Sequence, residues 1–258
     1  MKLLKEIIDT LPQGPIIEEV YIGPFDTVVK SLRWGISSSF RDPCSRKQAA
    51  WVRDSGDLIG KSARELAGYA FSDRLLEASL GMAAVNSLLD VSGFDLQDVN
   101  AREVILQRGE NKNVVVVGDF PFLEKIRSRV KNLWVINKQP WEGGEGVKEA
   151  ARFLPRADVA AITASSFINR TTEDLLSLCP DAFTIILGPT APFSPVLFQH
   201  GVDAVSGALV EDRDRALPCI WQGSSFRRIR GLNLVTIFKS GRAVRESKVS
   251  DETDNVSK

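Results

Sequence analysis

The sequence predicts an α/β protein in which a small α+β unit, residues 1–92, precedes a Rossmann-like parallel-sheet domain, residues 93–240, and a polar tail, 241–258. Three observations lead there. In the first part β-branched runs come before helical periodicity, the segregated order of an α+β unit. In the second part short, wholly apolar runs recur with 10 to 20 residues of helical character between them, the pattern of parallel strands covered on both faces. The end, "SKVSDETDNVSK", has too little apolar content to pack and is expected to be disordered.

The elements follow in order. Leu3, Leu4, Ile7, Ile8 and Leu11 stand at helical spacing, closed by Pro12 and Gly14, so an amphipathic helix opens the chain. "IIEEVYIG" (16–23) and "TVVKSLRWGISSSF" (27–40) are strand-like, and the "GPFD" between them is a turn by composition. A third short strand is expected in "WVRDSGDLIG". Ser62 followed by Glu65 makes a capping box for a helix in "SARELAGYA". A second helix, 73–90, places Leu76, Leu80, Ala83, Ala84 and Leu88 on one face, and Ala78, Gly81, Ala83 and Ala84 allow close packing. "AREVILQRGENK" leads into the sheet as a helix. The strands are then "NVVVVG" (113–118), "NLWVIN" (132–137), "DVAAIT" (158–163), "FTIILG" (183–188) and "VDAVSGALV" (202–210).

Composition narrows the function. With 258 residues, 43% of them apolar, the chain can bury a large core. Lys plus Arg equals Asp plus Glu at 33 each, so no net field draws it to nucleic acid or to an anionic membrane. No run approaches the ~18 apolar residues of a membrane span, and Lys5, Glu6 and Asp9 interrupt any signal-peptide core. Cys44, Cys179 and Cys219 are odd in number and far apart, which fits a reducing compartment and the cytoplasm. Sequence says nothing direct about assembly; a closed homodimer is the commonest arrangement among soluble oligomers.

In an open parallel sheet ligands gather at the carboxyl ends of the strands. After the first strand, "GDFPFLEKI" offers Gly118 for a tight turn, Asp119 as a helix cap, and Phe120, Pro121 and Phe122 as an apolar lip. It is not GxGxxG, because Phe120 and Leu123 hold the second and third glycine positions, which disfavours a dinucleotide. After the second strand, Trp141 and Gly143–Gly144 could fold over a planar ligand, but no acid follows to hold a ribose. Thr163, Ser165, Ser166, Asn169, Thr171 and Thr172 after the third strand are either a polar rim for an anion or simply caps and turn formers, Thr171 or Thr172 capping the next helix. In "ILGPTAPFSP" the prolines 189, 192 and 195 remove the donors a phosphate cradle needs, so this loop suits a rigid wall against an organic ligand.

Together, "YAFSDRLLEASLGMAAVNSLL", "VVVVGDFPF", "DVAAITASSFINRTTEDLL" and "IILGPTAPFSPVLFQHGVDAVSGALVED" resemble the two-part signature of the family described as putative heavy-metal chelation, across most of residues 15–212. The resemblance implies an enolase N-terminal-like domain followed by the Rossmann-like one, with a site in the cleft between them. It implies neither enolase activity nor dinucleotide use, since a fold does not carry its chemistry with it. By the same resemblance the cleft draws on Gly118, Phe120 and Pro121, on Thr163, Asn169 and Thr171, on Gly188, Pro189 and Thr190, and on Ser72, Arg74 and Glu77 of the smaller unit. The occupants it implies are a heavy metal, a metal-chelate, or a flavin- or pterin-like small molecule.

Direct coordination of a soft metal wants converging Cys and His. The sole histidine, His200, precedes Gly201 and suits a helix end, while Cys44 lies among Arg41, Arg46 and Lys47 in what a composition of this kind makes a surface loop. Glu18 and Glu19 are adjacent in a strand and point to opposite faces, so they are no ready-made pair. A small-molecule or metal-chelate binding protein is therefore the leading expectation. The alternative is an enzyme acting on a small anionic metabolite, with Glu77 or Asp119 as acid or base.

Overall fold

A computed structural model of the chain describes residues 1–41, 52–136 and 145–240. The opening helix α1 (Lys2–Asp9) buries Leu3, Leu4, Ile7 and Ile8, as its spacing requires. A three-stranded antiparallel sheet follows, β1 (Glu19–Ile22), β2 (Asp26–Lys30) and β3 (Trp34–Ser38), in that order. The segment 27–40, expected as one strand, is thus two. It breaks at Ser31–Arg33, where Ser31 Oγ lies 2.6 Å from Ser87 Oγ and the Arg33 side chain donates to the Asn86 carbonyl at 2.9 Å. The third strand expected in "WVRDSGDLIG" does not form over its described part. Asp54, Gly56 and Gly60 have φ of 57°, 102° and 83°, which turns the backbone out of any strand.

Ser62 caps α2 (Ala63–Ala67) by accepting from the Glu65 N–H at 3.3 Å, the expected contact. The long helix α3 (Leu75–Leu88) begins two residues later than its pattern suggested, with Arg74 as an extended N-cap. Its burial is not confined to one face: every residue from Leu76 to Leu88 is buried. Backbone contact explains this. A Cβ on Gly81 would stand 2.0 Å from the Ala70 nitrogen, and one on Gly35 in β3 would stand 2.1 Å from the Ala83 carbonyl, so the helix is clamped between neighbours that only glycines admit.

The rest of the chain alternates. It runs α4 (Ala101–Gly109), β4 (Asn113–Val117), α5 (Leu123–Arg127), β5 (Asn132–Ile136), α6 (Glu145–Phe153), β6 (Val159–Thr163), α7 (Thr172–Ser177), β7 (Phe183–Leu187), α8 (Val196–Gln199), β8 (Ala204–Val210), α9 (Arg213–Trp221) and β9 (Leu232–Phe238). The strands form one six-stranded sheet in the order β5-β4-β6-β7-β8-β9. All five strands expected from sequence are present and parallel; β9, which was not expected, closes the edge antiparallel to β8. This is a Rossmann-like sheet preceded by a small α+β region.

Alternate strand residues feed opposite faces, Val114, Val116 and Ile185 into one core and Val115, Ala160 and Ile162 into the other. A third core joins α1 and α3 to Ile186, Phe193, Leu197, Val205, Val235 and Ile237, so the small region covers one end of the large sheet. Fully buried Phe193 alone contributes roughly 1.5–3 kcal/mol there. The reading of 241–258 as a tail, and those of Cys44, Trp141 and Gly143–Gly144, lie outside the described residues.

Candidate functional site

The chain leaves β4 for β5 on one side and returns to β6 on the other, so the strand order reverses between β4 and β6. Carboxyl ends diverge at such a point and leave a crevice. A cavity of about 590 Å³ lies there, bounded by the strand-end loops, the start of α4, Asp26 and Ser38 of the small sheet, and Phe25 in the turn before β2.

Each wall has a local cause. Gly118 has φ 122°, and a Cβ on it would meet Phe120 Cε2 at 2.9 Å and Thr163 Cβ at 3.0 Å. Its bareness lets Phe120 fold back over the strand end, where Phe120 and Phe122 stack at 5.3 Å between centroids and 14° between planes. Gly188, φ 121°, turns the chain out of β7 in the same way. Asn100 caps α4, accepting from Glu103 N–H at 3.2 Å, and so presents the helix start to the cavity. Asp119 and Arg227 are exposed at the mouth, and half-buried Arg102 pairs with Glu103 at 3.6 Å.

Of the residues singled out from sequence, Asp119, Phe120, Pro121, Phe122, Thr163, Ser165, Gly188 and Pro189 line this cavity, and Gly118 supports its wall. Thr190 is fully buried behind it: its hydroxyl accepts from the Ser38 N–H at 3.0 Å and the Ser37 hydroxyl at 3.3 Å, while its carbonyl accepts from Asn86 Nδ2 at 3.3 Å. The proline loop therefore fastens the large sheet to the small one as well as walling the cleft.

Asn169 and Thr171 turn to each other, the Thr171 hydroxyl donating to Asn169 Oδ1 at 2.7 Å, and do not line the cavity. Thr171 occupies the N-cap position of α7 without capping it by its side chain, and Thr172 Oγ1 instead meets Ser166 Oγ at 2.8 Å. Ser72, Arg74 and Glu77 form a separate cluster. Buried Glu77 accepts from Ser72 Oγ at 2.6 Å and the Arg53 N–H at 2.7 Å, with Arg74 Nη1 at 3.5 Å, so its carboxylate is occupied by the fold. His200 ends α8, its Nε2 2.5 Å from Glu6 Oε2.

Sequence reasoning passed over Asp26. It belongs to the "GPFD" taken as a turn, yet it is the first residue of β2, paired in register with Ser38. Its side chain is only 2% exposed, it borders the cavity, and Oδ2 has no hydrogen-bond partner. Burial pushes its carboxyl up from the usual 3.8 to about 7, as expected for a charge denied both solvent and a counter-ion. The strand alternation Asp26, Val28 against Thr27, Val29 was the available signal, but alternation alone does not say that both faces of β2 are buried.

A model of the DUF364 family, described as putative heavy-metal chelation, matches residues 100–239, and one of DUF4213, described in the same words, matches residues 4–89. The chain belongs to the DUF364 family. A solved DUF364 protein of unknown function from Desulfitobacterium hafniense is similar over 92% of this chain and 98% of its own, at 27% identity and a TM-score of 0.79. A second, from Pyrococcus horikoshii, shares the fold at 18% identity, the same coverage and a TM-score of 0.72. No curated protein matches the chain.

The family's description raises a heavy metal, and the donors of this DUF364 chain can be tested against one. Among the described residues no three His, Cys, Asp or Glu side chains converge to hold an ion. Cys179 is buried, its thiol donating to the Leu175 carbonyl at 3.3 Å, and the histidine is engaged with Glu6. These residues do not fit a bare soft-metal ion, which wants several converging thiolates or imidazoles. Among the described residues no helix is long and apolar enough to cross a membrane.

Proposed function

We propose that this DUF364 protein binds a planar organic small molecule, a flavin- or pterin-like heterocycle or a metal already held by an organic chelator, in the cleft between its small sheet and its large one. The observation that carries this reading is the ~590 Å³ cavity at the strand-order reversal, walled by the stacked rings of Phe120 and Phe122. Its volume falls within the ~300–1,000 Å³ of small-molecule sites, which are mostly apolar with a few placed polar groups. The lack of converging metal ligands among the described residues favours a chelate over a naked ion. Equilibrium binding of flavins, pterins and siderophore-like chelators, each with and without metal, tests it. Saturable binding that Phe120→Ala weakens is the expected result, and a folded protein that binds none of the panel refutes it.

A second reading, an enzyme acting on a small anionic metabolite in the same cleft, draws support from Asp26 rather than Glu77. A carboxyl near 7 suits proton transfer at neutral pH, and Arg102 and Arg227 line the same cavity. Recovery of the bound molecule unchanged after long incubation separates binding from turnover.

A further inference from the structure

We propose that Asp26 selects the ligand by its inner end, accepting a hydrogen bond from an amidine, guanidine or amino-substituted ring nitrogen and turning away carboxylate or phosphate at that position. This rests on the cleft being a ligand site. It goes beyond it by assigning the polar group that reads the occupant and the chemistry that the occupant must present.

Four hydroxyl or amide side chains that line the cavity, those of Asn100, Thr163, Ser165 and Ser206, are already engaged. Ser206 Oγ lies 2.6 Å from Thr236 Oγ1, and Thr163 Oγ1 donates to Ser165 Oγ at 3.3 Å while accepting from its N–H at the same distance. Asn100 is committed to capping α4. Asp26 is different: the residue is buried and borders the cavity, and its carboxylate oxygen Oδ2 has no hydrogen-bond partner among the described residues. Asn86 Oδ1 is the other buried side-chain acceptor without one among the described residues, and it does not border the cavity.

A buried acceptor left unpaired costs about 1–3 kcal/mol, more when charged. A ligand that supplies the missing donor recovers that cost, and one that brings a second anion adds repulsion to it. The charged groups that face the cavity are Asp119 and Arg227, both exposed, and half-buried Arg102. No ion pair with Asp26 forms among the described residues, and burial is the sole influence on its ionisation. The ionised Asp26 carboxylate is therefore a buried acceptor with no cation paired to it, while the cations that line the cleft, Arg102 and Arg227, are half-buried and exposed.

Three planar probes of nearly one shape separate the possibilities: benzamidine, a cationic donor; benzamide, neutral; and benzoate, an anion. Ligand-observed NMR titrations at pH 8 on the full chain and on Asp26→Asn read their affinities. A fragment of this size binds with millimolar affinity. The expected result is benzamidine at least tenfold tighter than benzoate, with that preference lost in Asp26→Asn. On the unmutated protein, lowering the pH from 8 to 6 should weaken benzamidine roughly tenfold as Asp26 takes up its proton, with little change for benzamide. That second readout keeps the test decisive should the variant fail to fold. Equal binding of the three probes, unmoved by Asp26→Asn or by pH, overturns the inference and leaves the cleft reading standing. Failure of all three to bind a folded protein at ~10 mM also overturns the inference, whereas the cleft reading itself is decided by the flavin, pterin and chelator panel.

Discussion

Replacing Asp26 by Asn should change how stability depends on pH, and the size of the change follows from the fold. In the unfolded chain the carboxyl titrates near 3.8, and in the folded protein burial raises it to about 7. A raised carboxyl stabilises the fold fully below the unfolded value. As pH climbs from there to about 7 the unfolded chain releases a proton that the folded one keeps, so stability falls by 1.36 kcal/mol per pH unit. The whole loss is roughly 4 kcal/mol, and about 2.5 kcal/mol of it lies between pH 5 and pH 8. Asn cannot ionise; it adds only an offset that does not vary with pH. Urea unfolding of both proteins at fixed ionic strength across pH 5–8 should show Asp26→Asn gaining about 2.5 kcal/mol on its parent toward the alkaline end. A difference that stays flat within ~0.5 kcal/mol would refute the claim that Asp26 is buried without a counter-ion.

Three further outcomes are expected. Thr190→Val removes the hydroxyl that accepts from Ser38 and Ser37, and should cost about 1–3 kcal/mol in urea unfolding; a loss below ~0.3 kcal/mol would show that the proline loop does not fasten the sheets together. Gly81→Ala puts a methyl 2.0 Å from the Ala70 backbone nitrogen, and should destabilise by at least ~3 kcal/mol, an overpacked core with no side chain free to yield; unchanged thermal unfolding would contradict the close packing of α3. Phe120→Ala should weaken whichever member of the flavin, pterin and chelator panel binds by about tenfold, the worth of one lost aromatic stacking contact, with little change in stability because the ring is only half-buried.

Much of the scaffold was legible because its signals are local. The apolar runs Val114–Val117 and Ile185–Leu187 need only their own composition to declare a doubly covered strand, and the Ser62–Glu65 box needs only four residues. Where a local pattern was ambiguous, distant groups decided. The stretch 27–40 is continuous in β-propensity and was divided by contacts from Ser87 and Asn86, more than fifty residues away. β9 (LNLVTIF) has its apolar run broken by Asn233 and Thr236, and its pairing along the whole length of β8 is what makes it a strand.

The site shows the same division. Phe120, Pro121, Thr163, Gly188 and Pro189 could be picked from sequence since they follow apolar strands, and carboxyl-end loops converge in any sheet of this kind. Glu77 looked as available as any acid until Ser72 and the Arg53 backbone were seen to occupy it. Asp26 looked like part of a turn, and only its burial in the folded chain, beside a cavity and with no donor, makes its carboxyl hard to ionise. By itself, then, the sequence determined which segments become strands and helices and where their loops gather, because propensity, capping and periodicity act between near neighbours. The tertiary structure alone decided which polar groups are spent on the fold and which is left facing the cleft, because burial and pairing are properties of whatever packs opposite.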